Sequence, residues 1–207
     1  MESQPTAATT PTAHPEPGAL QAWIAEYLKI QAELLQQLDS AQIAAAIHLL
    51  GQTPAAGGRI FACGNGGSAA NASHFANDLG KSAADALLQR DPTQSRFRVL
   101  ALADNVSWLT AIANDYAYED VFVRQLENFL QPGDLLIAIS VSGNSPNVRR
   151  AVDYANQHQA QTLALTGTPG GQLAQSATHT LTIPDNHFGR VEDITMTLHH
   201  LLCYAWM

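Results

Sequence analysis

Short apolar runs separated by longer amphipathic segments form the main pattern along this chain. The runs are rich in aliphatic residues and are bounded by glycine, proline or polar turn residues, as β-strands are. They lie at residues 60–63, 97–103, 135–140, 161–166 and 178–183. The pattern therefore predicts five strands, with the first two expected to be buried.

Helical periodicity marks most of the remaining chain. Apolar residues recur at helical spacing over residues 19–38, and Ser40 is predicted to cap a second helix that ends near residue 50. Further helices are predicted after the first strand and at residues 106–113, 119–129, 145–157 and 191–206. Residues 82–96 are polar and irregular, so a mobile loop near the site is expected there. Strands that alternate with helices predict an α/β fold, a three-layer αβα sandwich with a five-stranded parallel sheet.

The composition of the chain indicates how it is divided into a tail and a domain. Residues 1–18 are rich in Pro, Thr, Ala and Gln without periodicity, which predicts a disordered tail before a single domain over residues 19–207. The net charge of −8 argues against nucleic acid or an anionic membrane as the partner. Cys63 and Cys203 lie far apart inside apolar segments, so buried free thiols and a reducing, cytoplasmic location are expected. No segment has the length and apolarity that predict a membrane span.

A glycine-rich turn follows the first strand and leads directly into a helix. It reads Gly64-Asn65-Gly66-Gly67-Ser68, and we call it the glycine loop. Glycines let the backbone approach a ligand closely, and the free amides of a helix N-terminus attract anions. The loop lacks the Gly-Lys-Ser/Thr ending of a P-loop and the G-x-G-x-x-G spacing of a dinucleotide site. Its glycines alone would indicate an ordinary strand-to-helix turn, with Ser68 as the helix N-cap, as a phosphate ligand, or as both in turn.

A second loop of the same kind follows the third strand. It reads Ser140-Val141-Ser142-Gly143-Asn144-Ser145, and we call it the serine loop; Pro146 after it suits the first position of a helix. Three hydroxyl groups and several amides match the acceptor oxygens of a phosphate group without any lysine. Because both loops follow parallel strands, we expect both at the same edge of the sheet, where they would bind a phosphorylated ligand.

Two segments, GNGGSAANASHFANDL and ISVSGNSPNV, resemble in order and spacing the sugar isomerase (SIS) domain family, and within it the phosphoheptose isomerase branch. The resemblance extends from about residue 19 to the C-terminus. It implies a flavodoxin-like SIS domain with two leading helices and a phosphorylated sugar held by the serine loop. It also implies a homotetramer with sites at subunit interfaces, and a zinc ion (Zn2+) held by residues of two helices.

The resemblance further assigns roles to individual residues. The substrate contacts it implies are Asn65, Gly66, Gly67, Ser68, Asp104, Ser140, Ser142, Ser145 and Glu192. The metal ligands it implies are His74, Asp78, Glu192 and His200, of which Asp78 and His200 are also the expected catalytic acid–base pair. Spacing agrees with this pairing, since partners four and eight residues apart lie on one face of a continuous helix.

The activity implied is an aldose–ketose isomerisation through an enediol, sedoheptulose 7-phosphate to D-glycero-D-manno-heptose 7-phosphate. The chain departs from the isomerase pattern at four positions: Asp78 replaces glutamate, Glu192 replaces glutamine, Val141 replaces threonine and Gly189 replaces aspartate. These departures keep a second class open, a non-catalytic SIS module that binds a phosphosugar or a protein partner, as replication-initiator-associating relatives do. An aminosugar-phosphate isomerase or an etherase-like activity is a third alternative.

Overall fold

One parallel sheet forms the centre of the molecule. The computed structural model describes residue 16 and residues 18–207, so the predicted tail lies almost entirely outside the described residues. Within them the strands are β1 (Ile60–Cys63), β2 (Val99–Ala101), β3 (Leu135–Ile139), β4 (Gln161–Gly167) and β5 (His179–Ile183). All pairings are parallel, and the strand order is β2-β1-β3-β4-β5. This is the doubly wound, flavodoxin-like order, which confirms the predicted α/β fold.

Helices precede the sheet and connect its strands. In the described chain they are α1 (Leu20–Gln36), α2 (Ser40–Ala55), α3 (Gly67–Asn77), α4 (Ala84–Arg90), α5 (Val106–Asp115), α6 (Val123–Phe129), α7 (Pro146–Gln157), α8 (Leu173–Ser176) and α9 (Phe188–Tyr204). A π-helical turn at Asp78–Ala83 joins α3 to α4, and a 3₁₀ turn at Tyr118–Asp120 precedes α6. The two leading helices are confirmed. The predicted cap of α2 is wrong by one residue, because the Asp39 carboxylate accepts the hydrogen bonds of the first turn and Ser40 is already helical.

Alternate residues of the central strands face two separate cores, as the two-residue period of a strand requires. Ile60 and Ile137 pack with α1, α2, α3 and α9 on one face of the sheet. Phe61 and Leu136 pack with α5, α6, α7 and α8 on the other. The sheet is therefore covered on both faces, which gives the predicted three layers.

Two predictions about the region after α3 are wrong. Most of the expected loop at residues 82–96 is helical, because Leu79, Ala83 and Ala84 are fully buried and continue the apolar face of α3 into α4. The strand expected at residues 97–103 is shorter and lies at the edge of the sheet. It pairs only with β1, and Leu100 is 44% exposed.

The carboxyl ends of β1 and β3 lie side by side at the point where the strand order reverses. Cys63 is in register with Ala138, so the glycine loop and the serine loop leave neighbouring strands at almost the same level. In doubly wound sheets this is the crevice where ligands bind. None of the helices in the described part of the chain has the length and hydropathy needed to cross a bilayer.

Candidate active site

The glycine loop turns the chain from β1 into α3 and exposes the start of that helix. Gly66 precedes the helix with a φ of +55°, a conformation that favours glycine. Ser68 lies inside the first turn of α3, so its prediction as the N-cap is wrong. The amides of Gly67 and Ser68 donate no hydrogen bond within the described chain, and are therefore available to an anion.

The serine loop is held rigidly against the loop that follows β4. Gly143 has a φ of +64°, and a Cβ atom there would stand 1.9 Å from the carbonyl oxygen of Gly170. The carbonyl oxygen of Gly143 also accepts a hydrogen bond from Leu173 N at 2.9 Å. Only glycine fits this close approach. Its backbone contacts fix the hydroxyls on either side, where Ser140 Oγ and Ser145 Oγ lie 3.1 Å apart.

The two loops and the start of α9 enclose a pocket of about 260 Å³. Its lining contains eight of the nine predicted substrate contacts: Asn65, Gly66, Gly67, Ser68, Ser140, Ser142, Ser145 and Glu192. Asp104 is the exception, since its carboxylate lies beside α3 and accepts a hydrogen bond from the Ser73 hydroxyl. Phe188, which the sequence analysis did not single out, also lines the pocket and is 64% exposed. The last helix was predicted to begin at residue 191, three residues after Phe188, whereas it begins at Phe188 itself.

The entry into α9 is fixed by a pair of charged side chains. Arg190 donates hydrogen bonds to both oxygens of the Asp185 carboxylate. These bonds lower the pKa of Asp185 to about 2, so the carboxylate stays ionised at neutral pH. The ring of His187 accepts a hydrogen bond from Arg190 N and caps the helix. The Asp185–Arg190 pair and the His187 cap together fix the first turn of α9, which carries Phe188 and leads to Glu192.

Glu192 places its carboxylate at the N-terminus of α3. A Cβ atom on Gly67 would stand 2.4 Å from the carboxyl carbon and from both oxygens of Glu192. Gly67 therefore provides the space for this carboxylate, and the positive end of the α3 dipole stabilises the charge. Glu192 lies outside the group of side chains in the described chain that could hold a metal ion, so the structure does not bring it to the other predicted ligands.

Those other ligands, His74, Asp78 and His200, form a cluster between α3 and α9. Asp78 Oδ2 lies 3.2 Å from His74 Nε2 and 3.8 Å from His200 Nε2, and the two ring nitrogens are 3.1 Å apart. Ligands held about 2.0–2.1 Å from a tetrahedral zinc ion stand roughly 3.3 Å from one another. The three side chains therefore fit zinc as they stand, with a fourth position left for water or substrate. The Asp78 side chain is only 16% exposed, whereas those of His74 and His200 are 42% and 43% exposed.

Two buried neighbours of the cluster have no role as ligands. His199 is fully buried against Phe75, and neither of its ring nitrogens has a hydrogen-bond partner among the described residues. Burial, together with the charges of His74 and His200, lowers the pKa of His199 to about 3. Burial, with the charge of Asp78 adding to it, raises the pKa of the Cys203 thiol to about 12. The adjacent residues His199 and His200 thus face in different directions, and of the two only His200 belongs to the cluster.

The pocket and the cluster lie at different levels of the same helix pair. Gly67 contacts Glu192 at the start of α3 and α9, and His74 contacts His200 about two turns later. Seven residues separate Gly67 from His74, which corresponds to about 10 Å along a helix. The glycine and serine loops, with their free amides and hydroxyls, therefore lie at one end of the site, and the cluster of two histidines and a carboxylate lies at the other.

Comparisons with known proteins agree with this geometry. The SIS domain profile matches residues 22–167. A phosphoheptose isomerase of Thiobacillus denitrificans is 42% identical over 183 residues, which cover 84% of this chain and 89% of the relative. Another, from Trichlorobacter lovleyi, is 36% identical over 194 residues, covering 89% and 92% of the two chains. The structure of the phosphoheptose isomerase of Neisseria gonorrhoeae superposes with a TM-score of 0.81 at 32% identity, covering 90% of this chain and 98% of that one.

Proposed function

The chain belongs to the SIS domain family, and we propose that it is an aldose–ketose isomerase of the phosphoheptose isomerase type. The observation that carries this proposal is one pocket lined by both the glycine loop and the serine loop, with the acid–base cluster two helical turns away. The named relatives, 36% to 42% identical over most of their length, support the same reaction. The proposed substrate is sedoheptulose 7-phosphate, and the product is D-glycero-D-manno-heptose 7-phosphate.

The phosphate group is placed at the end of the site that carries the glycine and serine loops. Ser140, Ser142 and Ser145 offer hydroxyl donors, and Gly67 and Ser68 offer helix N-terminal amides. Hydrogen bonds to an ionised phosphate are stronger than those to neutral groups, so these donors are sufficient without a lysine. In a heptose 7-phosphate the phosphate and the carbonyl lie at opposite ends of the carbon chain. Binding of the phosphate in the pocket therefore extends the sugar toward the cluster.

The proton transfers are assigned to Asp78 and His200. The carboxylate of Asp78 takes the proton from C1 of the ketose, the electron pair of that C–H bond forms the C1–C2 double bond, and the carbonyl electron pair moves to O2, which gives a cis-enediolate. His200 transfers a proton between the two neighbouring oxygens. Return of a proton to C2 then completes the aldose. The Asp78 side chain is only 16% exposed, which limits the access of water to this carboxylate, and Asn77 Nδ2 donates a hydrogen bond to its Oδ1 at 3.0 Å.

A zinc ion is part of the proposal, held by His74, Asp78 and His200. The fit of their distances to a tetrahedral ion supports it, and a carboxylate with two imidazoles and an open position is a donor set that catalytic zinc uses. When bound, such an ion would polarise the carbonyl oxygen and stabilise charge on the enediol.

Assembly into a homotetramer with sites at subunit interfaces is also proposed. Large apolar side chains are exposed along α1 and at the end of α9, among them Trp23, Leu28, Leu201 and Tyr204. Several exposed large apolar side chains on neighbouring helices are typical of a protein interface. A cytoplasmic location is proposed as well, supported by the two cysteines, which are free and buried.

The direct test mixes the purified protein with sedoheptulose 7-phosphate, with and without zinc, and follows the sugar by NMR. We expect conversion to the heptose 7-phosphate, with loss of conversion in EDTA. Conversion that resists EDTA would retain the isomerase and exclude the zinc. Absence of conversion, with chemical shifts that still respond to the phosphosugar, would contradict the isomerase and favour the non-catalytic binding module.

A further inference from the structure

We propose that Asn147, at the start of α7, is a positioning residue that acts through Asn65, with Tyr118 as its second support. Asn147 lies next to the serine loop, whereas Asn65 belongs to the glycine loop, so the pair joins the two halves of the pocket. The inference rests on the proposed function, since it concerns how that pocket holds the sugar part of a phosphosugar. No role for Asn147 or Tyr118 follows from the sequence alone.

The two amides form a reciprocal hydrogen-bonded pair between the glycine loop and the start of α7. Asn65 Nδ2 donates to Asn147 Oδ1 at 2.9 Å, and Asn147 Nδ2 donates to Asn65 Oδ1 at 2.8 Å. Asn147 is 1% exposed, so its bonds are made away from competing water. Buried paired amides hold their groups firmly, because loss of either partner leaves the other unsatisfied.

The backbone decides which way both amides face. Val148 N donates to Asn147 Oδ1 at 3.0 Å, and a flipped Asn147 would instead turn its NH₂ group toward this donor. The orientation of Asn147 is therefore fixed by the first turn of α7. The Asn65 carbonyl oxygen must face the NH₂ group of Asn147, and the Asn65 NH₂ group must face the carbonyl oxygen of Asn147. The orientation of Asn147 therefore fixes that of Asn65.

A third segment also contacts Asn65. In the orientation that Asn147 sets, the Tyr118 hydroxyl donates to Asn65 Oδ1 at 3.0 Å. The 3₁₀ turn that carries Tyr118 is tied to α7 by Arg150, which lies 2.6 Å from both the Glu119 and the Asp120 carboxylates. The loop that follows β1, the start of α7 and the 3₁₀ turn thus meet at one side chain.

This arrangement determines what Asn65 can offer to a ligand. Its carbonyl oxygen already accepts two hydrogen bonds and its NH₂ group donates one, so one amide hydrogen remains. Asn65 can therefore donate to a ligand oxygen but has no lone pair left for a ligand hydroxyl. The serine loop does not depend on this hydrogen for its own contacts with phosphate. Asn147 and Tyr118 are thus expected to affect recognition of the sugar more than recognition of inorganic phosphate.

The first test is Tyr118→Phe, with Tyr116→Phe as the matched control. Tyr116 lies two residues away and is 62% exposed, and its ring packs on Arg124. Dissociation constants are measured for inorganic phosphate and for sedoheptulose 7-phosphate, beside kcat and KM. Loss of one hydrogen bond should weaken phosphosugar binding about fivefold and leave phosphate binding within about twofold. Tyr116→Phe should change neither.

The second test is a cycle of Asn147→Ser, Asn65→Ala and the double variant, with thermal unfolding of each recorded. Asn147→Ser should lower kcat/KM about tenfold and leave the affinity for phosphate unchanged. The double variant should have nearly the same kcat/KM as Asn65→Ala alone, because Asn147 acts through Asn65. Additive losses, equal weakening of phosphate and phosphosugar, or unchanged phosphosugar affinity in folded variants would each overturn the proposal. An inactive wild-type protein would contradict the proposed reaction. The binding measurements need no turnover, so the ratio of the affinities for phosphosugar and phosphate would still test the positioning role.

Discussion

The anion pocket and the His74–Asp78–His200 cluster share two helices and are built in opposite ways. The pocket is made chiefly of backbone amides and small hydroxyl side chains on two loops, and its shape follows from glycine conformations. The cluster is made of three side chains on two helices, and its shape follows from how α3 and the π-helical turn pack on α9. Tertiary packing therefore sets the geometry of the cluster, whereas local backbone conformation sets most of the geometry of the pocket.

This difference predicts a division of labour. Substitutions in the pocket should change the affinity for a phosphorylated ligand, because several donors share the phosphate and each contributes part of the binding. Substitutions in the cluster should change the rate, because each group there has a separate task. The predictions below test this division, starting with the largest expected effect.

Asp78→Ala and His200→Ala should each lower kcat by about 10²–10⁴-fold, the contribution typical of a positioned acid or base. The affinity for inorganic phosphate should stay unchanged, because the pocket lies two helical turns away. Steady-state kinetics with sedoheptulose 7-phosphate and a phosphate titration measure the two quantities. His179→Ala is the matched control, since His179 is an exposed histidine on β5. Full turnover in both cluster variants would exclude the proposed acid–base pair.

Zinc should stabilise the folded protein through the same cluster. At a free zinc concentration a hundred times its dissociation constant, binding adds about 2.7 kcal/mol, which raises Tm by roughly 5–10 °C for a domain of this size. The rise should disappear in His74→Ala and persist in His179→Ala, and EDTA should reverse it. A zinc-dependent rise that survives in His74→Ala would show that the ion binds elsewhere.

Ser140→Ala and Ser145→Ala should weaken phosphosugar binding about tenfold, the lower range for a hydrogen bond to a charged group. Most of the effect should fall on KM, since the acid–base groups are untouched. Ser107→Ala, at an exposed position in the first turn of α5, is the control. A large loss of kcat at unchanged KM would mean that the serine loop takes part in the chemical step, and the division of labour would fail.

The same contrast explains what the sequence could predict. The pocket was predictable because each loop is a contiguous motif after a recognisable strand, and parallel strands bring such loops to one edge of the sheet. The spacing of His74 and Asp78 correctly indicated a shared helix face, although the helix changes to π geometry at Asp78. The position of Glu192 was not predictable, because a spacing of eight residues does not show that its carboxylate turns toward Gly67. The Asn65–Asn147 pair joins residues 82 positions apart, a contact that only the fold defines.

The adjacent residues His199 and His200 test which side chains belong to the cluster, with a smaller expected effect. His199→Leu should raise the free energy of unfolding by about 1 kcal/mol, because it removes two buried nitrogens that have no hydrogen-bond partner within residues 18–207. This corresponds to a Tm about 2–4 °C higher. His179→Leu, at an exposed position on β5, should leave Tm unchanged. The zinc-dependent rise should be the same in His199→Leu as in the wild type; its loss would place His199 among the groups that hold the ion.

A substitution of Glu192 has the smallest expected effect and tests the division most directly. Glu192 lies on α9, which also carries His200 of the cluster, but its carboxylate lies in the pocket. Glu192→Gln keeps the shape of the side chain and removes a negative charge from the N-terminus of α3, where an incoming phosphate competes for the same amides. Phosphate affinity should rise about threefold, and less at high ionic strength. Glu33→Gln, an exposed position on α1, should have no effect. If Glu192→Gln instead left phosphate affinity unchanged and abolished the zinc-dependent rise in Tm, Glu192 would belong to the cluster. The pocket and the cluster would then be one site, and their different construction would no longer imply different tasks.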